Sequence, residues 1–170
     1  MDDLAKLRAK LCRELAQSER SADVHTRREA RRLGDVPPAR ALQALGAHAR
    51  ADKARFHALA CKRQAESGLQ LARTIGDLFS TLRHFLFDRL IDTERSYRGT
   101  LLGFRHGLDT ARLLREVSLR LGDDHLVGFI DEWMPRRLEL LHDAERALAW
   151  FAERPARAVQ SGARAAIAPR

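Results

Sequence analysis

Apolar side chains recur three and four residues apart along most of this 170-residue chain, and no segment alternates with a period of two. Such a repeat lines one side of an α-helix and leaves little from which to build a sheet. Leu4, Leu7, Leu11 and Leu15 form one stripe within residues 2–33, and Leu42, Leu45, Ala49, Phe56 and Leu59 another within 38–66. Leu71, Ile75, Leu78, Leu82 and Phe85 align within 69–91, Tyr97, Leu101, Phe104, Leu108 and Leu114 within 93–121, and Leu126, Ile130, Trp133, Leu141 and Leu148 within 124–153. The expected fold is all-α, an antiparallel bundle of four to five helices.

The divisions fall where backbone chemistry puts them. Gly34-Asp35-Val36-Pro37-Pro38 should end the first helix, because Gly accepts the left-handed cap conformation and Pro suits the first turn of a new helix. Gly68 marks a turn, and Gly122-Asp123-Asp124 closes one helix and opens the next. The apolar face keeps its phase across Pro135, which predicts a kink there and not an end. No Gly or Pro separates 69–91 from 93–121, so two arrangements stay open: one helix of about 80 Å, or a new helix capped at Asp92-Thr93. From Pro155 the chain loses its apolar stripe. The division is an N-terminal amphipathic helix (1–36), a bundle body (37–154) and a loosely held tail (155–170).

Three glycines spaced by four, Gly99, Gly103 and Gly107, followed by Ala111, interrupt the amphipathic pattern of 93–121. Each mid-helix Gly costs about 0.8–1 kcal/mol against Ala, so something is expected to approach that backbone closely. An internal helix contact, a second copy of the chain and a flat ligand are the three possible neighbours. A membrane pairing stripe is not among them, since Arg98, Arg105 and Arg112 interrupt the segment.

The formal net charge is +8, from 31 Lys and Arg against 23 Asp and Glu. Arg27, Arg28, Arg31 and Arg32 cluster on one side of the first helix and make the densest basic patch. No aromatic residue interleaves with them, so nucleic-acid binding is not the favoured reading. The acidic last helix is an alternative counterpart for that patch, within the chain or in a second copy. Cys12 and Cys61 lack CxxC spacing and read as small buried residues in a reducing compartment. The acidic start is followed by no apolar block and no run approaches 18 apolar residues, so a cytoplasmic protein with no membrane segment is expected. Nucleophile motifs, Gly-rich phosphate loops and HExxH are missing, which favours a non-enzymatic role over an unpatterned active site.

Two polar groupings sit on helices. His48 and Asp52 are one turn apart, and Asp52 falls near the apolar face between Leu45, Phe56 and Leu59. A carboxylate there needs a partner, and His48 is placed to be it. Asp77, His84 and Asp88 share the side of 69–91 opposite its apolar face, where His84 and Asp88 could hold a metal if another carboxylate arrived.

Glu139-Leu140-Leu141-His142 is an E-x-x-H pair, with carboxylate and imidazole on one side of a helix. In this motif the chain, over roughly 69–153, resembles the ferritin-like superfamily. The resemblance implies an antiparallel bundle with any metal ligands, among them Glu94, Glu139 and His142, facing its interior. In Glu94-Arg95-Ser96-Tyr97 a Tyr stands where a second E-x-x-H would have His. Helical phase turns Glu139 and His142 away from Ile130 and the apolar face, toward solvent. The leading expectation is a helical bundle that works by protein–protein contact, most simply self-association, with no cofactor. A ferritin-like bundle holding metal or haem and a basic nucleic-acid-associated protein are the alternatives.

Overall fold

A computed structural model describes residues 3–66 and 92–161. Among these residues every extended element is an α-helix: α1 (Asp3–Leu33), α2 (Pro37–Ala51), α3 (Lys53–Glu66), α4 (Thr93–Arg120), α5 (Asp124–Arg146), α6 (Ala149–Glu153) and α7 (Pro155–Ala158). The all-α expectation holds. The helix expected over 69–91, with Asp77, His84 and Asp88, lies outside the described residues, as does the Cys61 side chain.

Local chemistry sets the ends of these helices. Gly34 takes a positive φ of 79° and its N–H donates to Ala30 O at 3.1 Å, closing α1. Pro37 and Pro38 then start α2, where their missing N–H groups cost nothing. Gly122, at φ 63°, turns the chain after α4, and Asp123 caps α5 by accepting from Leu126 N–H. The helix α5 continues through Pro135 as the phase of its apolar residues required.

Two boundaries differ from the sequence reading. The stretch 38–66 divides at Asp52, whose N–H turns back to Arg50 O, and the last helix stops at Arg146 before the short α6. The apolar phase persists across both breaks, so periodicity could not reveal them. The open question at residue 92 is resolved. Asp92 is extended (φ −58°, ψ 148°) and α4 begins at Thr93, so no single helix runs through 69–121. Asp92 makes no side-chain cap. The main-chain carbonyl of Gln160 substitutes for it, accepting from Thr93 N–H (3.1 Å) and Thr93 Oγ1 (2.6 Å). Residues 155–161, read from the sequence as the start of a loose tail, are thereby attached, with Ala158 buried and Ser161 bridged to Asp92.

One apolar cluster runs through these elements. Leu11, Cys12 and Leu15 of α1 meet Leu42 and Leu45 of α2, Phe56 of α3, Leu101, Phe104 and Leu108 of α4, and Ile130 and Trp133 of α5. The segment read as a distinct N-terminal helix is thus part of the main core. Contacts between α1 and α4 proceed from Glu29–Ser96 through Ser18–Gly107, and Arg8 reaches Asp123 just beyond α4. Between α4 and α5 they include Tyr97–Ala144, Arg105–Glu145 and Arg115–Asp131. Among the described residues no helix is long and apolar enough to cross a membrane.

Candidate functional site

The chemically densest place in the interior is centred on Arg137. It lies seven residues after Ile130 and four after Trp133, so helical geometry puts it in the middle of the apolar face of α5. The side chain is 1% exposed. Its guanidinium stacks between two rings, 4.8 Å from Trp133 and 5.1 Å from Phe104, and one Nη donates to Glu19 Oε2 of α1. Glu19 extends the stripe of Leu11, Cys12 and Leu15 by one turn, so both charges stand on the core-facing sides of their helices. Burial raises the Glu19 carboxyl above its ordinary range and lowers the Arg137 guanidinium, and their attraction offsets only part of this.

His48 and Asp52 approach the same centre from α2. His48 Nε2 lies 3.7 Å from Asp52 Oδ2, and the imidazole packs 5.9 Å from the Trp133 ring. Their spacing brings the two together, but the charge state is not that of an ion pair. Burial, and then the Arg137 cation, lower the His48 pKa to about 4, against the weaker opposite pull of Asp52. His48 is neutral at pH 7. Its Nδ1, and the Nε and Nη1 of Arg137, find no hydrogen-bond partner among the described residues. A cavity of about 40 Å³ opens beside this group, lined by Leu15, Glu19, Asp52, Phe56, Phe129 and Trp133. At about 10–15 Å³ per water it has room for a few water molecules.

Two further polar pairs bind helix ends. Arg8 of α1, 4% exposed, reaches the α5 cap residue Asp123 at 2.6–2.8 Å. Glu29 accepts from Arg32 (2.5 Å) and from Ser96 Oγ of α4 (2.9 Å). The sequence reading missed Arg8, Glu19, Glu29 and Arg137. The signal was present: each is a charged residue in register with the apolar stripe of its helix, the same test that singled out Asp52.

The remaining candidates separate. Glu139 and His142 are exposed as their phase required, and Glu139 pairs with Arg136 at 2.9 Å. Glu94 is held by Arg98, one turn along α4. Among the described residues no three His, Cys, Asp or Glu side chains gather as a metal site requires. In the basic patch Arg27 pairs with Asp23 (2.7 Å) and Arg32 with Glu29, which offsets much of its charge locally. The small-residue stripe does not keep one neighbour. Each step of four residues turns it about 40° around the helix. Ala111 is fully buried, and a Cβ at Gly107 would lie 2.7 Å from Ser18 Oγ. Gly99 and Gly103 are exposed with nothing within 4 Å of that position, so the expected close internal contact is absent there.

The outer face of α4 carries the other notable grouping. Leu102 is 64% exposed and Leu113 48%. They are eleven residues apart, within about 20° of one another around the axis, and the open backbone of Gly99 and Gly103 flanks Leu102. Comparison with protein-family models, curated proteins and solved structures finds no match to this chain.

Proposed function

We propose that this chain is a non-catalytic helical protein that acts by protein–protein contact, first of all with a second copy of itself. Its principal helices are read as an antiparallel bundle, since the first half of α4 meets the ends of α1 and α5, at Glu29, Ala144 and Glu145, and its later residues meet earlier ones, at Ser18 and Asp131. The observation that carries the functional reading is the pair Leu102 and Leu113, two large apolar side chains left on one solvent face of a helix whose opposite face fills the core. Buried charges elsewhere are engaged in holding helices together, as Glu19–Arg137 and Arg8–Asp123 are. The two leucines are separate points on one line and not one patch, and a second copy laid along α4 would cover both.

Sedimentation equilibrium tests the reading. The wild-type chain should self-associate with rising concentration, and Leu102→Asp with Leu113→Asp should remain monomeric at unchanged helical content. Val24→Asp, at a 57% exposed position on α1, should associate like wild type. A wild-type chain that stays monomeric up to about 100 μM, a concentration that would reveal even weak dimers, rejects the proposal.

A further inference from the structure

Resting on that reading, we infer that two copies meet along the outer face of α4, running antiparallel about a two-fold axis that passes between His106 and Asp109. Gly99, Leu102, His106, Asp109, Leu113 and Glu116 alternate at spacings of three and four, and all six are exposed. The spacing is that of a heptad seam, with Leu at two of the six positions and small or polar residues at the others, on the side of α4 that has no helix against it among the described residues.

The order of residues in the seam selects the orientation. In an antiparallel pair each layer joins residues whose numbers sum to a constant. With the axis between His106 and Asp109, Leu102 meets Leu113 of the second copy, His106 meets Asp109, and Gly99 leaves room opposite Glu116. The two-fold axis repeats every layer. A parallel pair in register sets Asp109 on Asp109 and Glu116 on Glu116, which repels. An antiparallel pair shifted by one heptad sets Leu102 against His106, or Asp109 against Leu113. Only the first arrangement matches apolar with apolar and imidazole with carboxylate. Arg105 flanks the seam with its counter-charge Glu145 in its own chain at 2.8 Å, and Arg112 holds Asp109 Oδ1 at 2.8 Å, so His106 of the second copy would join an existing ion pair at Asp109. Gly103, with open space at its Cβ position, lets the backbones approach beside Leu102.

Engineered cysteines in a Cys12→Ala, Cys61→Ala background test the register. Chains carrying Leu102→Cys mixed with chains carrying Leu113→Cys should form an interchain disulfide on mild oxidation. Either chain alone should not, because two copies of position 102 would lie about 16 Å apart by helical rise, beyond the 4.4–6.8 Å Cα separation a disulfide spans. His106→Asp should weaken dimerisation about tenfold by placing carboxylate on carboxylate, and adding Asp109→His should restore it. If the chain dimerises but Leu102→Cys cross-links to itself, or the double exchange does not rescue, this seam is wrong while self-association stands. A chain monomeric by sedimentation overturns both.

Discussion

At the scale of single residues, Arg137 shows how a charge can be placed at the centre of a core. Its stem and guanidinium are covered by Trp133 and Phe104, and Glu19 supplies the opposite charge. Ion pairs of this kind stabilise little against a well-packed apolar replacement, because desolvation opposes the attraction, but removing one partner leaves a bare buried charge. Glu19→Leu alone should therefore cost about 3–5 kcal/mol in denaturant unfolding, and the double variant Glu19→Leu, Arg137→Met should recover most of that loss. Equal losses in the single and double variants would show that the pair does not act as a unit. His48 gives a second prediction. Its pKa is about 4 in the folded chain and near 6.5 when unfolded, so between these values the unfolded state binds the proton and the folded state does not. The stabilisation linked to neutral His48 is complete above about pH 6.5 and gone below about pH 4, a loss of at most about 3 kcal/mol at 1.36 kcal/mol per pH unit, reduced by solvent screening of the partly buried ring. Other carboxylates titrate in the same range, so the readout is the difference from His48→Gln, which should flatten the fall in stability from pH 6.5 to 4. Parallel wild-type and His48→Gln profiles would contradict a depressed pKa.

At the scale of the helix, glycines of similar sequence context differ in what surrounds them. A Cβ at Gly103 meets nothing within 4 Å in its own chain, so Gly103→Ala should raise the stability of the monomeric chain, measured at low concentration, by about 0.5–1 kcal/mol through helix propensity. At Gly46 the same Cβ falls 2.3 Å from Thr26 Oγ1 and 3.3 Å from Thr26 Cβ. Thr26 is fully buried and its hydroxyl donates to Ala22 O at 2.7 Å, so it has little freedom to move. Gly46→Ala should destabilise by about 1–3 kcal/mol, as overpacking does, despite the same gain in propensity. Thermal melts of the two variants should shift in opposite directions, and a shared sign would mean that packing around Thr26 yields freely. The stripe of 99, 103 and 107 stands out in the sequence and the isolated Gly46 does not, yet a Cβ at Gly46 would come closer to its neighbour than one at Gly107. Spacing identifies small residues on related faces. It does not identify what lies against them.

At the scale of the whole molecule, a single core joins the long α1 to the three principal helices α2, α4 and α5, and the segment 155–161 returns to it. Gln160 caps the start of α4, and Arg157 reaches the Leu33 carbonyl at 3.5 Å near the end of α1. Elements far apart in sequence therefore complete one another's termini. The positive charge of the chain is dispersed in the same manner. Many arginines pair with a carboxylate one turn away, as Arg27–Asp23 and Arg136–Glu139 do, or on the neighbouring helix, as Arg115–Asp131 does. Among the charged residues on the surface of α4 stand Leu102 and Leu113, and the proposed dimer covers them.

The sequence by itself determined the all-α class and the turns at Gly34-Asp35 before Pro37 and Pro38 and at Gly122-Asp123, because the spacing of apolar residues and the chemistry of those turns are local and need no knowledge of neighbours. It also placed Asp52 beside His48 and turned Glu139 and His142 outward, since one turn of helix fixes those relations. Only the tertiary structure decided the partners. Glu19 lies 118 residues from Arg137, Arg8 115 from Asp123, and Gln160 67 from Thr93, and nothing periodic within one helix encodes such pairs. The His48 pKa is likewise set by burial and by a cation on another helix. A helical repeat specifies which face is buried, while the three-dimensional meeting of faces specifies which charges share the interior.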